Sequence, residues 1–276
     1  QQLIFFPRGE IKEHKQRAKH TVDNGLIKFS AAEDARLPGL ISLQYQGQEW
    51  LDKSYPDYGP KSSYNPFPGG IGINPAFVRM SAFFLEEHKL KNALLRDQWG
   101  QLWKGLSFSS LITRNEIHKG LLFTQYYMTL PGLPLLAIFT QIEHGSGKAE
   151  YQGFHLGCFF HPEAPIQDWR MRVPAEKGGW QSYRINEEAL HLQDSYRQIE
   201  VSQIGSPSRL NMLHMSKANY YIHMDPKLMR SRTQLWSEIT IKDKQWLPPV
   251  FMIFTEEEIR QEWIYPLLEL KVMSDE

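Results

Sequence analysis

Two histidines on one predicted strand are the residues best suited to acid–base chemistry. The segment Tyr151 to Pro162 reads YQGFHLGCFFHP. In an extended strand, His155 and His161 lie on the face opposite the apolar Cys158 and Phe160. Imidazole titrates near neutral pH, so each ring is a candidate general acid or base; the alternative is a pair of partly buried, hydrogen-bonded histidines. Their six-residue separation spans about 20 Å, which excludes one small ligand shared by both rings.

A carboxylate and several aromatic side chains complete the candidate chemistry. Glu262 stands beside Trp263, apart from the glutamate run at 256–258, and is a candidate base. The segment Ser54 to Pro75 is rich in proline, glycine and tyrosine, which indicates a shaped loop rather than a helix. Flat polar ligands such as sugars stack on aromatic rings and bind amide groups. The expected substrate-binding residues are Tyr64, Asn65, Trp99, Trp103 and Trp169.

Composition excludes several classes of function. The 276 residues contain 31 Lys and Arg against 31 Asp and Glu, so no basic surplus indicates nucleic acid or an anionic membrane as partner. No apolar run reaches the roughly 20 residues of a membrane helix. Cys158 is the single cysteine, which excludes an internal disulfide and slightly favours the cytoplasm without deciding the compartment. Neither a phosphate-binding glycine loop nor a zinc motif occurs, so we expect no cofactor and no metal.

The elements that must position these residues are mostly strands. Apolar and polar residues alternate with period two, and turn signals recur at short intervals. The pattern predicts strands at Leu135 to His144 and at Ala149 to Phe160. It predicts one short helix, opened by Thr255 as N-cap and stopped by Pro266. We therefore expect an all-β chain, with residues 1–276 forming a single domain. Because the sequence begins at Gln1 without a methionine, we expect a piece cut from a longer protein, with a processed chain as the alternative.

Four segments resemble galactose mutarotase-like domains. They are GLIKFSAAEDARLPGLISLQYQGQEWL (25–51), NPFPGGIGINP (65–75), DQWGQLWKGLSFSS (97–110) and LLFTQYYMTLPGLPLLAIFTQIEHGSGKAEYQGFHLGCFF (121–160). The resemblance covers roughly Gly25 to Pro162. It implies a large antiparallel β-supersandwich with few short helices, and a sugar bound on a concave sheet face.

The resemblance also implies roles for residues. Family epimerases use a histidine as general acid and a late glutamate as general base; here the nearest matches are His155 or His161 and Glu262. The histidine flanks and the late glutamate motif both depart from the family pattern. Three functions remain open: a carbohydrate-binding or carbohydrate-processing domain, an active aldose epimerase, and a structural domain that contacts neighbouring domains.

Overall fold

The computed structural model describes most of the chain. The described residues are 7–35, 38–52, 55–57, 69–75, 83–115, 118–144, 149–151, 154–160, 168–175, 177–184, 195–225, 228–235, 239–241, 244–259 and 261–273.

Strands dominate the described residues, as the period-two pattern predicts. In chain order they are β1 Lys12–Gln16, β2 Lys19–Asp23, β3 Ile27–Ala32, β4 Gly39–Leu40, β5 Ser42–Tyr45, β6 Gln48–Glu49, β7 Ile71–Pro75, β8 His88–Asp97, β9 Leu102–Leu111, β10 Leu121–Thr129, β11 Leu135–His144, β12 Ala149–Tyr151, β13 Phe154–Phe160, β14 Trp169–Pro174, β15 Trp180–Arg184, β16 Ser195–Gln203, β17 Arg209–Asp225, β18 Leu228–Leu235, β19 Ile239–Ile241, β20 Lys244–Trp246, β21 Val250–Thr255 and β22 Val272–Met273. Helix α1 is Gln261–Leu268.

The strands form two main antiparallel sheets. The small sheet has five strands in the order β1-β2-β3-β5-β6, and the large sheet has fifteen. The main path of the large sheet runs β22-β8-β9-β10-β11-β21-β17-β18-β13-β7-β4, with β16 and then β14 and β15 branching from β17. A separate pair joins β12 to β19. The all-β sandwich expected from the sequence is confirmed.

The main hydrophobic core lies between the two sheets. Phe29 and Leu43 of the small sheet, like Phe123 and Met252 of the large sheet, are fully buried in this core. Tyr45 stacks on Phe254 of β21 with ring centroids 4.7 Å apart. Aromatic pairs of this kind add to the free energy of apolar burial and fix how one sheet sits on the other.

The outer face of the large sheet, turned away from the small sheet, has a second core. Leu213 and Phe251 alternate with residues of the main core and so lie on the outer face. Helix α1 covers them with Ile264 and Leu267. Among the described residues, the second core contains none from β13, β14 or β16. No described helix has the length and apolar character needed to cross a membrane.

The predicted helix start is wrong. Thr255 ends β21, opposite Arg209 of β17, and its hydroxyl accepts a hydrogen bond from Asn211 Nδ2 at 3.1 Å. The hydroxyl is therefore used by the sheet and does not cap a helix, which begins six residues later. Pro266 lies inside α1 and does not stop it.

Two strand predictions have different outcomes. Leu135 to His144 is confirmed with the same bounds in β11. Ala149 to Phe160 is two strands rather than one, since β12 pairs with β19 whereas β13 pairs with β7 and β18.

Candidate functional site

The outer face carries a polar pocket built by three neighbouring strands. Strand β14 reads WRMRVP, and its Trp169, Met171 and Val173 are buried in the main core. Alternation therefore places Arg170 and Arg172 on the outer face. The ladder sets Arg172 opposite Glu200 of β16.

Glu200 is the buried anion of this pocket. Its carboxylate has no exposed surface and receives hydrogen bonds from Arg172 Nε at 2.8 Å and Arg172 Nη2 at 2.7 Å. Two parallel bonds of this kind match the planar guanidinium to the planar carboxylate. The guanidinium carbon of Arg172 also lies 4.8 Å from the centroid of the Trp180 ring. The indole Nε1 of Trp180 in turn contacts Glu258. Arg172 is thus held from two sides.

Two further arginines give the pocket an excess of positive charge. Arg209 Nη1 lies 3.6 Å from Glu200 Oε2, and its side chain is 31% exposed. Arg170 lines the pocket and makes no ion pair with any described residue. Three guanidinium groups face one carboxylate, so the formal charge of the lining is +2. The volume is about 190 Å³, and Ser202 and Ser206 add hydroxyl groups.

A second feature of the outer face follows from backbone register around His155. Cys158 and Phe160 are buried in the main core, so the two-residue alternation of a strand assigns backbone position 155 of β13 to the outer face. Asn74 and Gln234 lie directly opposite it on β7 and β18. The ladder continues to Asn219 of β17 and Ser195 of β16. Five adjacent strands therefore place polar residues in one row, called the polar row below: Asn74, His155, Gln234, Asn219 and Ser195.

Glu262 lies on the same side of the large sheet as His155. It is exposed in the first turn of α1, and this helix packs on the outer face through Ile264 and Leu267. Both candidate acid–base residues thus belong to the outer-face side of the sheet, one on a strand and one on the helix. His161, Tyr64 and Asn65 lie outside the described residues.

The three predicted stacking tryptophans occupy different environments. Trp99 is in the turn between β8 and β9 and is 36% exposed. Trp103 is fully buried against Phe139, and its Nε1 donates to Asp97 Oδ2 at 3.0 Å. Trp169 is buried and meets Trp50 edge to face at 5.6 Å. Trp103 and Trp169 therefore pack in the interior, and Trp99 alone of the three has a partly free ring.

Two further histidines, His88 partly buried and His214 fully buried, lie outside the polar row. His88 Nδ1 is 2.7 Å from Ser110 Oγ, and burial lowers the pKa of His88 to about 4. Burial also lowers the pKa of His214 to about 3. Both rings are therefore neutral at physiological pH and suit a structural role. Within the described ranges, no three His, Cys, Asp or Glu side chains are arranged to hold a metal ion.

The arginine pocket was not among the residues singled out from the sequence. The alternation in WRMRVP indicates two arginines on one face of a strand, which is a detectable signal. Glu200, the carboxylate partner of Arg172, is 28 residues away, and Arg209 is still further along the chain. Only the strand order brings these groups together.

Comparisons with known proteins identify the fold. No family model matches the chain, and no curated protein matches its sequence. A galactose mutarotase-related enzyme from Lactobacillus acidophilus aligns with a TM-score of 0.57 and 10% identity over 88% of this chain and 99% of that one.

In two glycosidases, part of the chain has a fold similar to that of this protein. An α-galactosidase from Lactobacillus brevis aligns with a TM-score of 0.51 and 10% identity, over 86% of this chain and 39% of that one. A GH36 α-galactosidase from Geobacillus stearothermophilus aligns with a TM-score of 0.50 and 9% identity, over 90% and 41%. The chain thus spans about two fifths of the length of these enzymes. Two antiparallel sheets with this strand order and these structural relatives give one conclusion: the chain has the galactose mutarotase-like β-sandwich fold.

Proposed function

We propose that this chain is a carbohydrate-binding or carbohydrate-processing domain that holds a sugar on the outer face of its large sheet. The observation that carries the proposal is the placement of the polar row and the arginine pocket on that one face. Apolar residues would be expected there if the face only packed against another domain. The proposal is that the polar row contributes amide and imidazole groups there, which together with the guanidinium groups of the pocket match the hydroxyl groups of a sugar.

The fold likeness supports the same class of ligand. The printed names of the structural relatives refer to galactose mutarotase and α-galactosidase, so galactose is the first sugar to test. Because the chain corresponds to about two fifths of the galactosidases, we also propose that it acts beside neighbouring domains in a longer protein. Trp99, with its partly free ring, is the proposed stacking residue for a longer sugar chain.

Calorimetric titration with galactose, glucose and a galactose-containing disaccharide tests the proposal. At least one of them is expected to bind, and His155→Ala is expected to weaken the binding. His14→Ala is the matched control, because His14 is exposed on β1 of the small sheet. Absence of binding by every sugar, at millimolar concentrations of a folded protein, would contradict the proposal.

An active epimerase is the second candidate, and the position of His155 favours it. The residue lies on β13, between β7 and β18, and the backbone register gives it a polar residue opposite on each side. In this alternative His155 donates a proton to the ring oxygen of an aldose, and Glu262 accepts the proton of the anomeric hydroxyl. Polarimetry of α-galactose would then show faster mutarotation, slowed about 10²–10⁴-fold by His155→Ala. A rate equal to that of buffer would leave binding as the function.

A further inference from the structure

We infer that the arginine pocket formed by β14, β16 and β17 binds the anionic group of an acidic carbohydrate, either the carboxylate of a uronic acid or the phosphate of a sugar phosphate. The inference rests on the proposed function and narrows its substrate class. It follows from the charge of the pocket, from its size and from the different roles of its three arginines.

The charge of the pocket is not balanced from within. Glu200 is already bound through both oxygens to Arg172, at 2.8 and 2.7 Å. That pair neutralises one guanidinium and leaves Arg170 and Arg209 as the excess charge. Two guanidinium groups at the edge of one cavity form a site for an oxyanion, because each can donate two parallel hydrogen bonds.

The size of the pocket fits one charged group rather than a whole sugar. Its volume is about 190 Å³. Pockets that enclose a complete small ligand have about 300–1,000 Å³. A carboxylate or phosphate can therefore enter between Arg170 and Arg209, with Ser202 and Ser206 as further donors, while the ring to which it is attached lies on the neighbouring outer face.

The three arginines have separable roles. Arg172 is 19% exposed, bound to Glu200 and stacked on Trp180, so it positions Glu200 and the strands. Arg209 is 31% exposed, and its Nη1 lies 3.6 Å from Glu200 Oε2, which is too far for a hydrogen bond. Most of its donors are therefore left for a ligand. Arg170 has no ion pair with the described residues. Arg170 and Arg209 are thus the ligand-binding arginines, and their replacement leaves the Arg172–Glu200 pair in place.

Paired titrations test the inference. Galactose, galacturonic acid, galactose 6-phosphate and inorganic phosphate are each titrated into the protein and into Arg170→Gln, Arg209→Gln and Arg197→Gln. Arg197 is the matched control, because it lies on β16 as an exposed residue outside the pocket and its loss changes the net charge equally. Circular dichroism of each variant establishes that it is folded.

The expected result is that at least one acidic sugar binds more than about 10-fold tighter than galactose, and that Arg170→Gln and Arg209→Gln each weaken this binding about 10- to 100-fold. Arg197→Gln has no such effect. Whichever of galacturonic acid and galactose 6-phosphate binds more tightly shows whether the pocket prefers a carboxylate or a phosphate. Inorganic phosphate alone is expected to bind more weakly than that sugar. Equal affinity for neutral and acidic sugars, unchanged by both variants, would overturn the inference and leave the proposed function standing. If no sugar binds, acidic or neutral, the proposed function fails and the inference fails with it.

Discussion

Arg172 and Glu200 form a bidentate ion pair across the neighbouring strands β14 and β16, with both carboxylate oxygens bound and no exposed surface on the carboxylate. The pair anchors the polar part of the outer face. It joins the β14–β15 branch to the main path of the large sheet through β16 and β17.

Replacing Glu200 with glutamine is expected to destabilise the protein. The variant leaves the guanidinium of Arg172, which is 19% exposed, without its countercharge. Loss of one partner of a buried pair costs about 3 kcal/mol of unfolding free energy. Urea unfolding followed by tryptophan fluorescence measures the change. Glu257→Gln, at an exposed position, is the control and should change stability by less than about 0.5 kcal/mol. Equal stability of the two variants would refute this account of the pair.

The hydrogen bonds of Asn24 are expected to stabilise the contact between the two sheets. Its Nδ2 donates to Thr129 Oγ1 at 2.7 Å and to the Leu133 carbonyl at 2.8 Å, and its Oδ1 accepts from the Ile27 amide at 2.8 Å. Asn24→Ala leaves several buried groups unpaired and should lower the unfolding free energy by about 2–4 kcal/mol. Gln16→Ala, which removes an amide side chain at an exposed position of β1, is the control. Similar chemical denaturation midpoints for both variants would contradict the prediction.

Stability is expected to fall as the pH decreases from about 6.5 toward 4. Burial holds the pKa of His88 at about 4, below its ordinary value of 6.5, so the unfolded chain binds a proton that the folded chain does not. Stability therefore decreases by up to about 1.4 kcal/mol per pH unit for this residue across that window and is unaffected above it. His88→Gln should make the pH dependence of the unfolding free energy shallower by about one proton. Identical slopes for the variant and the parent protein would be the contrary result.

Gly105 is expected to be irreplaceable at the point where β9 pairs with Met128 of β10. A Cβ at this position would lie 1.9 Å from the carbonyl oxygen of Tyr127. Gly105→Ala therefore forces the two strands apart and should cost about 3 kcal/mol or more of unfolding free energy. Ser107→Ala, two residues along the same strand, is the control. A melting temperature for Gly105→Ala close to that of Ser107→Ala would show that the strands adjust without cost.

The fold was more accessible from the sequence than the site. Strand β11 has the predicted bounds because its alternating residues contact both cores, one on each face of the sheet. Thr255 was misassigned because its hydroxyl has a partner, Asn211, that lies 44 residues away in the sequence. A local capping signal cannot reveal that partner.

The candidate site depends on contacts between distant parts of the chain. His155 was found from its position in a strand, but its neighbours Asn74 and Gln234 follow only from the register of β7 and β18. Trp103 and Trp169 were expected to bind sugar because tryptophan suits stacking. Their burial depends on which face of a strand meets a core, and the residue type alone does not determine this.

Binding of a sugar on the outer face is tested by mapping sugar-induced amide shifts on isotope-labelled protein by nuclear magnetic resonance. With the sugar that binds tightest in the titrations, we expect the largest shifts from β13, β14, β16 and β17, around His155 and Arg209. Shifts confined to the small sheet, or spread over the chain without a centre on the outer face, would contradict this expectation.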